Sequence, residues 1–304
     1  MREMITEYRK RTTEFFHSYG KIILVIILVI FSVISITIIF SVIKPQKLKV
    51  SFFDVGQGDA IFVQTPSGKQ LLIDGGATNI VLSRLADEMS YFDNDIDVIV
   101  ATHPDADHVT GLIPVLEKYR IHTIVVSPSK GKTQMSDDLN KKIIDELADL
   151  HTAHTGDVID FHDGVTATIL YPGKNYKEKN NDTNDASVIV VINYGSESFL
   201  LTGDLPSTSE PELISSGLLS FTKNITVYKA GHHGSKTSSG EQLLSYIHPE
   251  YAVISAGKDN RYGHPSTEAI DRLQKYSKEI ISTIDRGTIS FVTDGRMMEV
   301  KTQK

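Results

Sequence analysis

The chain has 304 residues, no cysteine, a net charge of −7 and an ordinary share of apolar residues. That composition excludes a disordered chain and a disulfide-stapled mini-protein, and leaves room for one large domain or two small ones. The first 43 residues carry five basic and three acidic side chains, so the remainder holds −9. An acidic remainder is a poor non-specific binder of nucleic-acid backbones.

Residues 1–20 read as a short cytoplasmic tail of mixed charge. Residues 21–43 follow as a transmembrane helix: Ile22 to Ile43, "IILVIILVIFSVISITIIFSVI", holds no charged residue. A helix of that length spans about 33 Å, enough to cross a bilayer. A cleaved signal peptide would have a shorter apolar stretch and a small-residue cleavage site, whereas "KPQKLK" follows here. Arg2, Arg9, Lys10, Arg11 and Lys21 precede the stretch, and Lys44, Lys47 and Lys49 follow it. Five against three predicts a single-pass membrane protein with its large domain extracellular.

Residues 44–49 read as a basic linker, and residues 50–304 as one domain. "LKVSFFDVG", "AIFVQTP" and "QLLIDGG" read as strands parted by turns. Residues 78–90 read as a helix and "IDVIVATH" as a strand buried on both faces. "VTGLIPVLEKYR" reads as a helix with Pro114 in its first turn, and "HTIVVS" as a strand. Leu139, Ile143, Ile144, Leu147 and Leu150 recur at helical spacing, which predicts a helix over 134–150. Two hairpins follow, around His162-Asp163-Gly164 and within "SVIVVINYGSESFLLTGD". "ITVYKAGHHGS" and "YAVISAG" read as strands, "STEAIDRLQKY" as a capped helix and "ISFVTDG" as a last strand. Strand-rich halves interrupted by helices suit two sheets packed face to face with helices outside, an α/β (α+β) fold.

The densest chemistry is "THPDADHVTGL". His103, Asp105, Asp107 and His108 stand where a buried strand ends and a helix begins. Four N and O ligands within six residues exceed what one tetrahedral ion takes once distant ligands are added, so the segment points to two ions, Zn²⁺ or Mn²⁺. The plain alternative is a helix cap supplied by Asp105 or Asp107, which needs one acid and no histidine. Other segments offer partners: Asp204 ends "FLLTGD", His232 and His233 follow "TVYKAG", Asn184, Asp185 and Ser187 precede "VIVV", and Arg261, Tyr262 and His264 lie in "NRYGHPS". Each also fits a polar turn. All lie past the end of an apolar strand, so one sheet edge can gather them.

The ordered segments "FFDVGQGDA", "LLIDGG", "THPDADHVTGL", "NDASVIV", "LLTGD", "KAGHHGSKTS" and "NRYGHPS" resemble the motifs of the metallo-β-lactamase superfamily, in particular the hydrolase domain of ComEC-type competence proteins. The resemblance runs from about Val50 to the C-terminus. It implies a four-layer αββα sandwich with a two-metal site at one edge. On the matching positions, His103 and Asp105 hold the first metal, with Asp185 or Asn184 where many relatives have a histidine. Asp107, His108 and one of His232 and His233 hold the second, and Asp204 bridges the two. Asp54, Asp59 and Asp74 would shape the site from behind or merely form turns. Asp105 departs from the usual histidine, and its oxygen-rich set moves preference from Zn²⁺ towards Mn²⁺.

The expected reaction is hydrolysis of a phosphodiester, in nucleic acid or a cell-envelope polymer. Asp107 or Asp204 would orient the attacking hydroxide. The non-ligating one of His232 and His233 would act with Ser235, Lys236 and His264 on the leaving oxygen. The alternatives are a hydrolase of a lactone, thioester or other non-phosphate bond, and an anchored binding module without catalysis. One membrane helix cannot form a DNA channel by itself.

Overall fold

The computed structural model describes residues 1–43, 47–177, 182–221 and 225–304, without the side chains of 15–18, 38–43, 220 and 221. Contacts divide the chain into two compact units, Met1–Pro45 and Gln46–Lys304. The expected linker at 44–49 lies partly outside the described residues.

The first unit is one helix, α1 (Arg2–Ile43). Its stretch Tyr19–Thr37 is long and apolar enough to cross a membrane and is unburied. An apolar surface on every side of a helix, with nothing packed on it, suits hydrocarbon rather than water.

The second unit opens with β1 (Leu48–Phe52), β2 (Ile61–Gln64), β3 (Gln70–Ile73), α2 (Ile80–Glu88) and β4 (Asp95–Ala101). Then come α3 (Ala106–Val109), α4 (Leu112–Lys118), β5 (Arg120–Val126), α5 (Gln134–Asp145) and β6 (Asp149–Thr152). Strands β7 (Val158–Asp160), β8 (Val165–Tyr171), β9 (Ile189–Tyr194) and β10 (Glu197–Leu201) precede α6 (Glu210–Ser215). The unit closes with β11 (Val227–Lys229), α7 (Glu241–Ile247), β12 (Tyr251–Ile254), α8 (Thr267–Tyr276), β13 (Glu279–Ser282), α9 (Thr283–Arg286), β14 (Ile289–Thr293) and β15 (Met298–Thr302).

Two mixed sheets form, in the orders β15-β14-β1-β2-β3-β4-β5-β6 and β13-β12-β11-β10-β9-β8-β7. Their inner faces share one apolar core, with Val50, Phe52, Val63 and Val100 from the first sheet and Val190, Phe199, Leu201 and Val227 from the second. The outer face of the first sheet packs on α2, α4 and α5 through Leu72, Ile99, Leu85, Leu116 and Leu139. The outer face of the second packs on α6, α7 and α8 through Val191, Tyr228, Leu213, Leu244 and Leu273. Strands covered on both faces explain the continuous β-branched run of β4. The result is the expected helix–sheet–sheet–helix sandwich.

Two expected helices differ. The one after "IDVIVATH" is broken between α3 and α4. A Cβ on Gly111 would stand 1.9 Å from the Gly75 carbonyl oxygen, so backbone meets backbone there and only glycine fits. Pro114 does lie in the first turn of α4. The helix expected over 134–150 stops at Asp145, and Leu150 lies in β6, which pairs in parallel with β5. Leu147 is fully exposed. Backbone pairing at the open edge of β5 outweighed a helical periodicity that a short strand had continued by coincidence. The edge strands β6, β13 and β15 were not anticipated.

Candidate metal centre

Strands β3, β4, β10 and β11 all deliver polar residues just past their C-terminal ends. Asp74 follows β3, Thr102 and His103 follow β4, Asp204 follows β10, and His232 and His233 follow β11 in a tight turn. Asp107 and His108 stand on α3. Asp59 comes from the loop between β1 and β2, which presses on α3: a Cβ on Gly58 would lie 2.0 Å from the Asp107 carbonyl oxygen. Both His232 and His233 have positive φ, at 48° and 57°, which turns adjacent rings in different directions.

These side chains converge. One ligand atom from each of Asp59, His108, Asp204 and His233 lies within 4.8 Å of the others. His108 Nε2 is 3.3 Å from Asp204 Oδ1 and 3.3 Å from His233 Nε2. His233 Nε2 is also 3.3 Å from Asp107 Oδ2 and from Asp204 Oδ2. His103 Nε2 lies 3.9 Å from both Asp105 Oδ2 and Asp204 Oδ2. His232 sits at the rim, partly exposed, with Nε2 3.6 Å from Asp204 Oδ2.

The opposite nitrogens define how the rings are used. His108 Nδ1 is 2.7 Å from Asp74 Oδ2, and His233 Nδ1 is 3.0 Å from the Ser255 carbonyl oxygen. The Thr102 hydroxyl donates to Asp74 Oδ2 at 2.6 Å, so its oxygen accepts from His103 Nδ1 at 3.0 Å. Each Nδ1 therefore carries a hydrogen, and in the neutral ring each Nε2 would turn a lone pair towards Asp204. Among the described residues, His103 Nε2, Asp204 Oδ1 and Asp59 Oδ1 are buried without a hydrogen-bond partner. Buried polar atoms are otherwise almost always paired. Converging lone pairs and carboxylates with orphaned atoms fit a divalent cation, and the mixed N and O donors suit Zn²⁺ or Mn²⁺.

The electrostatics without a cation agree. Burial opposes charge on His108 and His233, but Asp204 and its neighbours outweigh it and raise both well above the ordinary histidine value. Burial and the neighbouring His108 charge push His103 down to about 3. Burial works to raise Asp204, but the His233 and His108 charges hold it well below the carboxylate range. Protons on His108 and His233 thus supply positive charge that a cation would otherwise bring.

Asp105 begins α3 yet makes no side-chain cap; its carboxylate accepts from the Thr183 hydroxyl at 2.5 Å. The cap reading of "DAD" is therefore wrong for this residue. Asp185 accepts from Ser209 Oγ and, at 3.3 Å, from the Tyr176 hydroxyl, and is outside the converging group. Ser187 Oγ accepts from the Asp204 backbone N–H at 3.1 Å. Asp54 caps its own turn through Gly56. Lys236 is exposed. His264 is half-buried, its ring centroid 5.3 Å from that of His232 and its Nδ1 unpartnered.

Sequence reasoning missed Lys229. Its ammonium is fully buried at the end of β11, 2.5 Å from Asp59 Oδ2 and 3.7 Å from Asp204 Oδ1, and it donates to the Gly203 carbonyl at 3.1 Å. A lysine closing the apolar run "ITVY" was the available signal. Burial works to raise the Asp59 pKa, but Lys229 and His233 bring it down to about 2.

Two face-packed sheets with helices outside, and a histidine–aspartate cluster at their strand ends, define a metallo-β-lactamase fold. The model of the metallo-β-lactamase superfamily matches residues 53–174. The chain is similar to ComE operon protein 3 of Bacillus subtilis, 28% identical over 80% of this chain and 33% of that protein. It is similar to Recombination protein 2 of Haemophilus influenzae, 28% identical over 87% of this chain and 31% of that protein. Competence protein ComA of Neisseria gonorrhoeae is 26% identical over 82% of this chain and 33% of its own length. The chain thus spans about a third of the length of these relatives. Among solved structures, CmlA, a diiron β-hydroxylase from Streptomyces venezuelae, shares the fold with a TM-score of 0.50 at 12% identity, over 78% of this chain and 53% of that chain.

Proposed function

We propose that this chain is a membrane-anchored, metal-dependent hydrolase of phosphodiesters, with residues 50–304 as its hydrolase domain. The observation that carries the reading is the convergence of three histidine Nε2 atoms and the Asp204 carboxylate on one buried region. His103, Asp105 and Asp204 would hold a first ion, while the expected further ligand Asp185 is held by Ser209 and Tyr176. Asp107, His108, His233 and Asp204 would hold a second, leaving His232 free at the rim. Divalent ions held there would lower the pKa of bound water towards about 7 and neutralise phosphate oxygens.

The chain's own groups would do the rest. Asp107 keeps a quarter of its side chain exposed and would orient the attacking water and take its proton. His264, with its unpartnered Nδ1, and His232 beside it would meet the leaving oxygen as hydrogen-bonding groups, burial lowering the pKa of both rings. Lys236 at the surface would meet the anionic substrate. Nucleic acid and phosphodiester-linked envelope polymers fit this chemistry, and the charge of −9 outside the first 43 residues favours short or single-stranded segments over long duplex. Five basic residues before the apolar stretch and three after it orient the domain outward.

The test is metal content and turnover of the purified full chain in detergent. Two Zn²⁺ or Mn²⁺ per chain and hydrolysis of bis(p-nitrophenyl) phosphate, lost in Asp107→Ala, support the reading. Turnover of a lactone or thioester alone would move the enzyme to a non-phosphate bond. A metal-free and inactive protein under both metals would leave a binding module. Protease added to intact cells should cut the domain; protection until lysis would reverse the orientation.

A further inference from the structure

The outer face of the first sheet is not sealed everywhere. Helix α5 ends at Asp145, and the edge strand β6 is four residues long with every residue exposed. Between α5 and the C-terminal ends of β4, β5 and β6 a cavity of about 470 Å³ remains. That is roughly the volume of fifteen liquid waters and lies in the range of sites for small organic molecules.

The walls are aliphatic. Ala101, Leu139 and Ile143 are buried in them, while Ile144 and Leu150, 77% and 52% exposed, line the open side. Among the described residues no phenylalanine, tyrosine or tryptophan lines the cavity, so a planar ring has little to stack on. An aliphatic chain fits such walls, and its entry would take the exposed isoleucine and leucine out of water.

The polar lining has one sign. Lys130, in the loop after β5, and Asn140 on α5 both line the cavity, and among the described residues no carboxylate does. Among the same residues, no ion pair or hydrogen bond occupies the Lys130 ammonium or the Asn140 side-chain amide. The loop that carries Lys130 is already fixed. Ser127 Oγ donates to the Ala186 carbonyl at 2.8 Å and accepts from the Ser129 N–H at 3.2 Å. Gly131, at a φ of 67°, runs so close to Pro104 that a Cβ there would lie 2.8 Å from the proline Cβ. A site held in place before its ligand arrives loses less to ordering. One ammonium and one amide NH₂ match the two oxygens of a single carboxylate, whereas a phosphate would keep an oxygen without a donor.

We infer that this cavity is a binding site for a medium-chain aliphatic carboxylate, its chain between α5 and the sheet and its head on Lys130 and Asn140. It is a second site beside the metal cluster, and the two share a wall. His103 and Pro104 line the cavity, while His103 Nε2 faces Asp204 on the cluster side at 3.9 Å. The inference is independent of the hydrolase reading.

The chain has no tryptophan, so Ile144→Trp and Leu150→Trp give two separate single reporters at the cavity, with Tyr246→Trp on α7 as the control. The full chain in detergent would be titrated with 8-bromooctanoate, whose bromine quenches indole on contact, with EDTA present to keep carboxylates off metal ions. The expected result is saturable quenching of both cavity reporters by at least twofold, reversed by octanoate and not by octylamine. The Tyr246→Trp emission should stay unchanged. Lys130→Met and Asn140→Leu lie outside the core and should each weaken binding in the Ile144→Trp protein by about threefold. Quenching that does not saturate, or that is equal in Tyr246→Trp, reports partition into detergent and overturns the site. Unchanged affinity in both head-group variants, or displacement by octyl phosphate at lower concentration than by octanoate, overturns the carboxylate assignment. Turnover of bis(p-nitrophenyl) phosphate is read separately, so either reading can fail alone.

Discussion

Lys229 Nζ lies 2.5 Å from Asp59 Oδ2, and both side chains are buried. The pair inserts a permanent positive charge into a cluster otherwise built of carboxylates and imidazoles. The Asp59 carboxylate lies close to the ligand atoms of His108, Asp204 and His233, but it already has a cation. It serves the site better as the group that fixes Lys229 beside Asp204 and faces His233 Nδ1 at 3.5 Å.

Lys229→Met removes that cation and leaves Asp59 buried with a weaker set of partners. Breaking a buried ion pair from one side costs about 3–5 kcal/mol. Urea denaturation of the metal-free protein should show a loss of that size. The double variant Lys229→Met, Asp59→Asn should recover much of it, because no buried charge is then stranded. Equal losses in single and double variants would show that the two groups do not stabilise each other.

The predicted cluster segments were legible because strand-end aspartates and histidines stand out against apolar runs, and four such ends recur in order. Asp59 and Asp74 were harder. An aspartate beside glycine reads equally well as a turn, and only the fold reveals that Asp74 accepts from Thr102 and partners His108. Lys229 was hidden by habit, since a lysine at a strand end is usually solvated. Asp185 shows the converse: its motif lies beside the site, while its carboxylate turns to Ser209 and Tyr176.

Divalent metal should stabilise the domain by mass action. At a free concentration of about 100 times Kd the gain is roughly 2.7 kcal/mol per site. Thermal melts with and without Mn²⁺ or Zn²⁺ read it directly. Asp204→Ala removes the one carboxylate among the described residues that lies within 4 Å of His103, His108, His232 and His233 together. Its melting temperature should respond to neither metal. A metal-induced shift that survives Asp204→Ala would place the ions elsewhere.

Glu210 gives the domain a pH signature away from the cluster. Burial raises its pKa to about 7, although the Gly240 and Ser239 backbone N–H groups and Arg272 pull the other way. A carboxyl raised in the folded state binds a proton there that the unfolded chain has released. Its contribution is complete below the unfolded value near 4.5 and is lost as pH rises through about 7. Glu210→Gln keeps an oxygen for Gly240 N–H, now 2.8 Å from Glu210 Oε2, and cannot ionise. The variant should match the parent at pH 5 and exceed it by about 2–3 kcal/mol at pH 8. Parallel stability curves across that range would show that Glu210 is not protonated in the fold.

Asp105 sets the character of the first proposed ion site. Its carboxylate is held by Thr183 and approaches His103 Nε2 at 3.9 Å, where a histidine would offer nitrogen. Burial raises its pKa, so it is a carboxylate that gains from a cation's charge. Asp105→His exchanges a hard oxygen for an imidazole and should move metal selectivity from Mn²⁺ towards Zn²⁺. Thr183→Val leaves the ligand in place and removes its support, which typically costs about 10–100-fold in metal affinity. Competition between the two metals, read by elemental analysis of the equilibrated protein, separates the effects. Selectivity should change in Asp105→His and affinity in Thr183→Val. If neither variant alters metal content, Asp105 lies outside the coordination sphere and its bond to Thr183 merely ties α3 to the loop before β9.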